Sequence, residues 1–298
     1  MSSPVTVHVV SPQFPCGAAW LANALLELRV RIDDLWGYDT AREWQDLGEG
    51  RRRYVAADLP WLQTLACLRL ERVFAFRPDH LARFSHAYPW QLPVCGKTVY
   101  MLRDPRDALY SEWRRARQNE GLPASVDLPA FLAQSFRCGP ISNAEMLRLH
   151  LRAWLSVRST QALYLLRFED WKRDPLGQLE QVCRWIGLPT QPKELTQAAQ
   201  TSDVSHLQRI EQNLLSADPR GRQFNRAGKV FEWRNCWQPA WVAGLDARWQ
   251  PLLRALGYAP LPASGMRENP SFDLEQVLRW RDINQAEELA YWQRVLAE

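Results

Sequence analysis

Four groups of residues have the types and spacing to do chemistry, and each suits an anion or a proton. The first is RDPRDALYSEWRRAR, residues 103–117, which follows an apolar run. Asp104 can cap a helix there and Pro105 suits its first position, which leaves Arg103 just ahead of the helix. Asp107 and Ser111 are four apart and share a helix face. An Arg and a hydroxyl so placed can grip a phosphate by charge-assisted hydrogen bonds, or be a plain surface Arg and a solvated Ser. The second group is SPQFPCGAAWL, residues 11–21, set between an apolar run (5–10) and a helical pattern. A strand, a tight loop and a helix in that order can hold an anion on the amides of the helix N-terminus. Here the loop has one glycine, Gly17, no lysine, and alanine at 18 and 19 where hydroxyls are usual. The third is FNRAGKVFEWRNCW, residues 224–237, a basic loop with Arg226, Lys229 and Arg234 around Gly228. It is either a solvated loop or a clamp over an anion. The fourth is His150, on the apolar stripe Leu147, Leu151, Trp154 and Leu155 of a helical pattern over 144–158. A lone inward histidine is either a satisfied core residue or a base.

Elements that would position these groups can be read from periodicity. Strands are expected over 4–11, 72–76, 97–102 and 162–168. Helices are expected over 17–30, 60–70, 105–119, 127–136, 144–158, 174–186, 204–215, 240–256 and 272–296. The alternation implies an α/β fold, a mainly parallel central sheet flanked by helices on both faces. Ligands of such sheets bind outside the carboxyl ends of the strands. Arg103 and the start of FEDWKRDP (168–175) fall at those ends.

Composition narrows the class. A net charge of +4 over 298 residues, with scattered arginines, suits a small anionic ligand rather than nucleic acid. The six cysteines, at 16, 67, 95, 138, 183 and 236, form no CxxC pair and read as free thiols of a reducing compartment. No apolar run reaches the length of about 18 residues that a membrane helix needs. No basic segment precedes an apolar leader, so a cytoplasmic location without membrane insertion is expected. No cluster has metal-ligand spacing, so no metal is expected.

In order along residues 5–260, these pieces resemble the sulfotransferase family that uses PAPS, 3'-phosphoadenosine 5'-phosphosulfate. PCGAAWL stands where the family has its phosphosulfate loop, PKSGTTW. YMLRDPRDALYSEW resembles YVxRNPKDVxxSxY, with the same step from Arg103 to Ser111. FEDWKRDP stands for YEDxxxDP, RAGKVFEW for RKGxxGDW, and Leu256, Gly257 and Tyr258 for a terminal LGY. The resemblance implies a P-loop-like sulfotransferase architecture. Arg103 and Ser111 would bind the 3'-phosphate, with Arg226, Ala227 and Gly228 closing over it. Cys16, Gly17, Ala18 and Ala19 would cradle the phosphosulfate on their backbone. Trp20 would pack on the adenine, with Phe168 in the place of a family tyrosine. HLRAW, set against a family HVxxW, makes His150 the general base. FSHAYPWQLP (84–93) resembles KTHLPxxxLP and puts His86 and Phe84 at the acceptor pocket. The implied reaction moves a sulfuryl group from PAPS to a hydroxyl or amine of a small molecule, without a metal.

The departures set up the alternatives. Without a gap, Pro15 takes the place of the loop lysine; with Phe14 and Pro15 set on the family's Tyr-Pro, that lysine is deleted outright; Phe84 takes the place of a second lysine. Arg83, Lys229 and Arg234 are candidates for a compensating cation. Either this is an active sulfotransferase, or it is a degenerate relative that binds the nucleotide or a partner without turnover. A P-loop kinase is disfavoured because no GK[ST] follows the first strand. The expected organisation is a sulfotransferase domain over 1–263 and a helical extension over 264–298. Leu274, Leu278, Leu289, Trp292 and Leu296 give that extension an amphipathic face, for its own domain or for a homodimer or carrier-protein contact.

Overall fold

The computed structural model describes residues 4–35, 44–55, 72–92, 96–136, 142–157, 162–215, 228–233 and 249–258. The expected helices over 60–70 and 272–296, the extension over 264–298, and Arg226, Ala227 and Arg234 lie outside the described residues.

Five parallel strands make the central sheet: β1 (Val5–Val10), β2 (Arg31–Leu35), β6 (His80–Ser85), β7 (Lys97–Leu102) and β8 (Leu163–Arg167). Their order is β2-β6-β1-β7-β8, with β1 in the middle, paired from Val5↔His80 to Val10↔Ser85 with β6 and from Val7↔Lys97 to Val10↔Tyr100 with β7. β3 (Trp44–Asp46), β4 (Arg51–Tyr54) and β5 (Val73–Ala75) form a separate antiparallel sheet. The strand expected over 72–76 is therefore real but belongs to that smaller sheet. The central sheet instead takes β6, which carries His80 and Arg83, residues that interrupt the apolar run that identifies a buried strand.

Helices cover both faces. Val99, Met101 and Phe84 join α1 (Ala18–Glu27), α6 (Pro175–Ile186) and α7 (Pro192–Thr201) in one core. Tyr100 and Leu102, on the opposite face by strand alternation, join α2 (Pro105–Asn119), α3 (Leu128–Ala133), α4 (Asn143–Ser156) and α9 (Trp249–Ala255) in a second. Two further helices, α5 (Phe168–Arg173) and α8 (Val204–Leu215), complete the described set. Asp104 caps α2 by accepting from the Arg106 amide, and Ser142 caps α4 by accepting from Glu145. No helix of the described residues is long and apolar enough to cross a membrane.

Candidate active site

The carboxyl ends of β1, β6, β7 and β8 converge on the loop over residues 11–17. Along it burial alternates: Phe14, Cys16, Ala18 and Trp20 are buried, while Gln13, Pro15, Gly17 and Ala19 are half-exposed. Cys16 faces the core, where burial pushes its thiol up to about 12, so it takes part as packing and backbone and not as a nucleophile. Gly17 is the N-cap of α1 at φ 84, a left-handed conformation that glycine adopts without a Cβ clash. A Cβ there would lie 2.5 Å from Cδ2 of Phe168. The Trp20 amide already donates to Gly17 C=O at 2.9 Å, so the amides of Ala18 and Ala19 are the donors that the helix N-terminus presents.

A set of aromatic and basic side chains gathers around that glycine. Trp20 and Phe168 have ring centroids 5.1 Å apart. The Arg103 guanidinium stacks over the Phe168 ring at 4.6 Å, and Lys172 Nζ lies 5.1 Å from the Trp20 centroid. Gly228 meets the far edge of Trp20: a Cβ there would lie 2.7 Å from the indole. Gly17, Trp20, Arg103, Phe168 and Gly228, widely separated in sequence, are thus brought together. Arg103 is 5% exposed. Its Nη2 donates to Lys229 C=O at 2.6 Å, and its Nε has no partner among the described residues. A buried, unpartnered guanidinium N–H beside a half-exposed backbone cradle fits a phosphate oxygen. Ser111 lies two turns into α2, one turn beyond Asp107 on the same face.

Supporting contacts explain two further motifs. Glu169 accepts from the Asp104 amide at 2.8 Å and from the Tyr258 hydroxyl at 2.8 Å. The acidic residue of FED therefore ties the start of α2 to the LGY end of α9, and its burial raises the carboxyl's pKa. Arg106 forks onto Asp104 through Nε at 2.8 Å and Nη2 at 2.6 Å, and lies 4.0 Å over Trp233. Neither role is visible in residue spacing, because each joins segments far apart in the chain.

A second cluster sits at the other end of the same loop. His86 follows β6 and is half-buried. Its Nδ1 lies 2.8 Å from Ser11 C=O; a carbonyl only accepts, so Nδ1 carries the proton and the neutral ring's lone pair is on Nε2. His150 is 3% exposed. Its Nε2 lies 3.2 Å from His86 C=O and its Nδ1 2.9 Å from the Tyr100 hydroxyl. By the same logic Nε2–H donates and Nδ1 accepts from Tyr100, so both ring nitrogens are engaged. Burial pushes His150 down to about 3. Trp154 donates to Ala87 C=O at 3.0 Å, so the His150–Trp154 pair grips the backbone of residues 86 and 87. Tyr88 packs edge-on to His150 and stacks on Trp90, and its hydroxyl meets Met146. Sequence reasoning passed over Tyr100, whose signal was a phenol set among Val99, Met101 and Leu102 of its strand. Phe84, expected at the pocket, is instead wholly buried in the core beneath α1, because its strand position faces the sheet's interior side.

Of the candidate cations, Arg83 is exposed in mid-strand opposite His8, three residues short of His86. Lys229 offers its carbonyl to Arg103, and its side chain is exposed. No cluster of three or more potential metal ligands occurs among the described residues.

Comparison with known proteins bears on the fold and the family. Rat sulfotransferase 2A6 is 27% identical over 255 residues, and rat sulfotransferase 2A2 is 24% identical over 259, each match covering 82% of both chains. Mouse sulfotransferase SULT7A1, solved with PAP, superposes with a TM-score of 0.56 at 19% identity, covering 85% of this chain and 84% of that one. Retinol dehydratase, solved with retinol and PAP, superposes at 0.52 and 16% identity, covering 86% and 81%. The family model described as the sulfotransferase domain matches residues 76–257, more than half of the sequence, and the chain belongs to the sulfotransferase family.

Proposed function

We propose that this sulfotransferase takes its sulfuryl group from PAPS, passes it to a hydroxyl or amine of a small-molecule acceptor, and releases adenosine 3',5'-bisphosphate. The observation that carries the reading is the buried Arg103 Nε, without a partner among the described residues, beside Gly17, Trp20, Phe168 and Gly228. Arg103 and Ser111 would hold the 3'-phosphate, Trp20 and Phe168 the adenine, and the amides of Ala18 and Ala19 the 5' end. PAPS supplies an activated sulfuryl group on a good leaving phosphate. The chain's work is alignment of donor and acceptor and stabilisation of charge on the leaving oxygen.

The resemblance assigns the base to His150, but the geometry favours His86. A base must lie where the acceptor proton can reach it. His150 gives both nitrogens to neighbours inside the core. His86 is half-buried beside the phosphosulfate loop, where Nδ1–H donates to Ser11 C=O and the ring can be reached from the site. In this reading the acceptor O–H or N–H bond breaks toward His86 Nε2 as the new bond to sulfur forms. His150 and Trp154 then fix the His86–Ala87 backbone.

The test is turnover with PAPS and a panel of hydroxylated and amine acceptors, followed as release of the bisphosphate. Production dependent on acceptor supports the reading. Tight bisphosphate binding without turnover on any acceptor would instead favour the degenerate, non-catalytic alternative.

A further inference from the structure

We infer that Asp107 is a positioning residue, the latch that closes the 228–233 loop over the nucleotide; this rests on the PAPS reading of the site. The Asp107 carboxylate is fully buried. Its Oδ2 accepts from the Phe231 amide at 2.5 Å and its Oδ1 from the Trp233 amide at 3.0 Å. Arg103 Nη2 stands 3.7 Å from Oδ2, outside hydrogen-bond distance, so the carboxylate's close partners are the two amides. Phe231 has φ 56, a left-handed conformation that a bulky side chain disfavours. That turn aims the amides of residues 231 and 233 at one anion, a small nest filled by Asp107.

The latched loop delivers two groups to the nucleotide site. Lys229 C=O orients Arg103 from the Nη2 side, which leaves Nε for a ligand. Gly228 is pressed against Trp20, with Val204 behind it. Asp107 therefore acts on the nucleotide through the loop. Its place one turn from Arg103 and one turn from Ser111 lets a single helix end supply both the phosphate ligands and the anchor of the loop that covers them.

Asp107→Asn keeps the shape but puts an amide NH2 where one backbone N–H needs an acceptor. The expected result is a rise of at least tenfold in the KM for PAPS and in the Kd of adenosine 3',5'-bisphosphate. The KM for the acceptor and kcat at saturating PAPS should stay within threefold. Amide exchange in residues 228–233 should quicken in D107N, with or without bisphosphate. In the wild type, the Phe231 and Trp233 amides should exchange far more slowly than in an unstructured loop. A folded D107N that keeps its PAPS KM within threefold overturns the latch, as does an equal loss in acceptor KM and kcat. If D107N shows no cooperative melt, the wild-type exchange decides: unprotected Phe231 and Trp233 amides overturn the proposal. Failure of the wild type to bind bisphosphate would sink the nucleotide reading alone, because amide protection is measured without ligand.

Discussion

Two histidines compete for one role, and a pair of glutamine variants separates them. His150 is lowered by burial from 6.5 to about 3. At about 1.4 kcal/mol per unit, protonating it inside the fold costs about 5 kcal/mol more than in water. A base carrying that penalty would forfeit between three and four decades of rate, which is as much as general base catalysis usually supplies. His150→Gln keeps an amide donor able to reach His86 C=O but removes the basic nitrogen. It should lower kcat/KM by no more than about tenfold, through looser positioning of residue 86 and a Tyr100 hydroxyl left short of its acceptor. His86→Gln should lower kcat/KM by about 10²–10⁴-fold with little change in the bisphosphate Kd. The assay is steady-state release of bisphosphate, with the Kd read separately by titration. The reverse pattern, a loss of three decades in H150Q and a near-normal H86Q, would refute the reasoning. So would a kcat/KM acid limb centred near 3, which would mark His150 as the titrating group.

Two more outcomes follow from the same geometry. Gly17→Ala meets both the left-handed φ and Phe168 at 2.5 Å; the backbone term is about 1–2 kcal/mol and the overpacking term about 1–3 kcal/mol. Denaturant titration should show a loss of about 2–5 kcal/mol, and because Phe168 backs Arg103, bisphosphate affinity should fall with it. The buried His150 also makes stability depend on pH. Its folded pKa, about 3, lies below the unfolded 6.5, so the unfolded chain takes up the proton first as pH falls. Its contribution is full above 6.5 and is lost progressively down to about 3, amounting to about 2 kcal/mol by pH 5. Denaturation midpoints measured at pH 7 and 5 should converge in H150Q relative to the wild type; an unchanged pH dependence would contradict it.

Legibility in the sequence followed the range of the interaction. Arg103, Asp104 and Pro105 were readable because a cap, a proline at the first helical position and a strand end are local features. Gly17 and Trp20 were readable as a loop with a helix behind it, though the reason for the glycine, Phe168 at the start of α5, was not. β2 and β6 were missed because Arg31, Asp33, His80 and Arg83 break the apolar pattern of strands that tertiary pairing nonetheless recruits. His150 was correctly placed facing inward. Its partners, Tyr100 and the backbone of residue 86, lie 50 and 64 positions away, and only their meeting shows that both nitrogens are engaged. The amide anchor on Asp107 and the double role of Glu169 were equally out of reach, since each joins elements that no spacing rule connects.

The missing loop lysine sets a further test of the proposed reaction. Pro15 alternates with buried Phe14 and Cys16 and shares the half-exposed side of the loop with Gly17 and Ala19. That pattern suits the ungapped reading, in which Pro15 stands at the family lysine's position. Phe84, at the second lysine's position, is sealed in the core and has no route to the site. In the proposed reading, and among the described residues, charge stabilisation on the leaving oxygen would fall to the α1 N-terminus, whose half-unit of positive charge is a weaker substitute for a full cation. Removing one preorganised donor typically costs about 3–4 kcal/mol, so returning one has room to raise the rate by up to about 10²-fold. Pro15→Lys should raise kcat by about 10–100-fold at saturating PAPS and acceptor, with Pro15→Ala as the control for loss of the ring. A gain confined to the lysine variant means that the natural loop works by backbone alone. No gain in kcat would mean that another cation already serves the leaving oxygen, and the backbone-only account of this loop would fall.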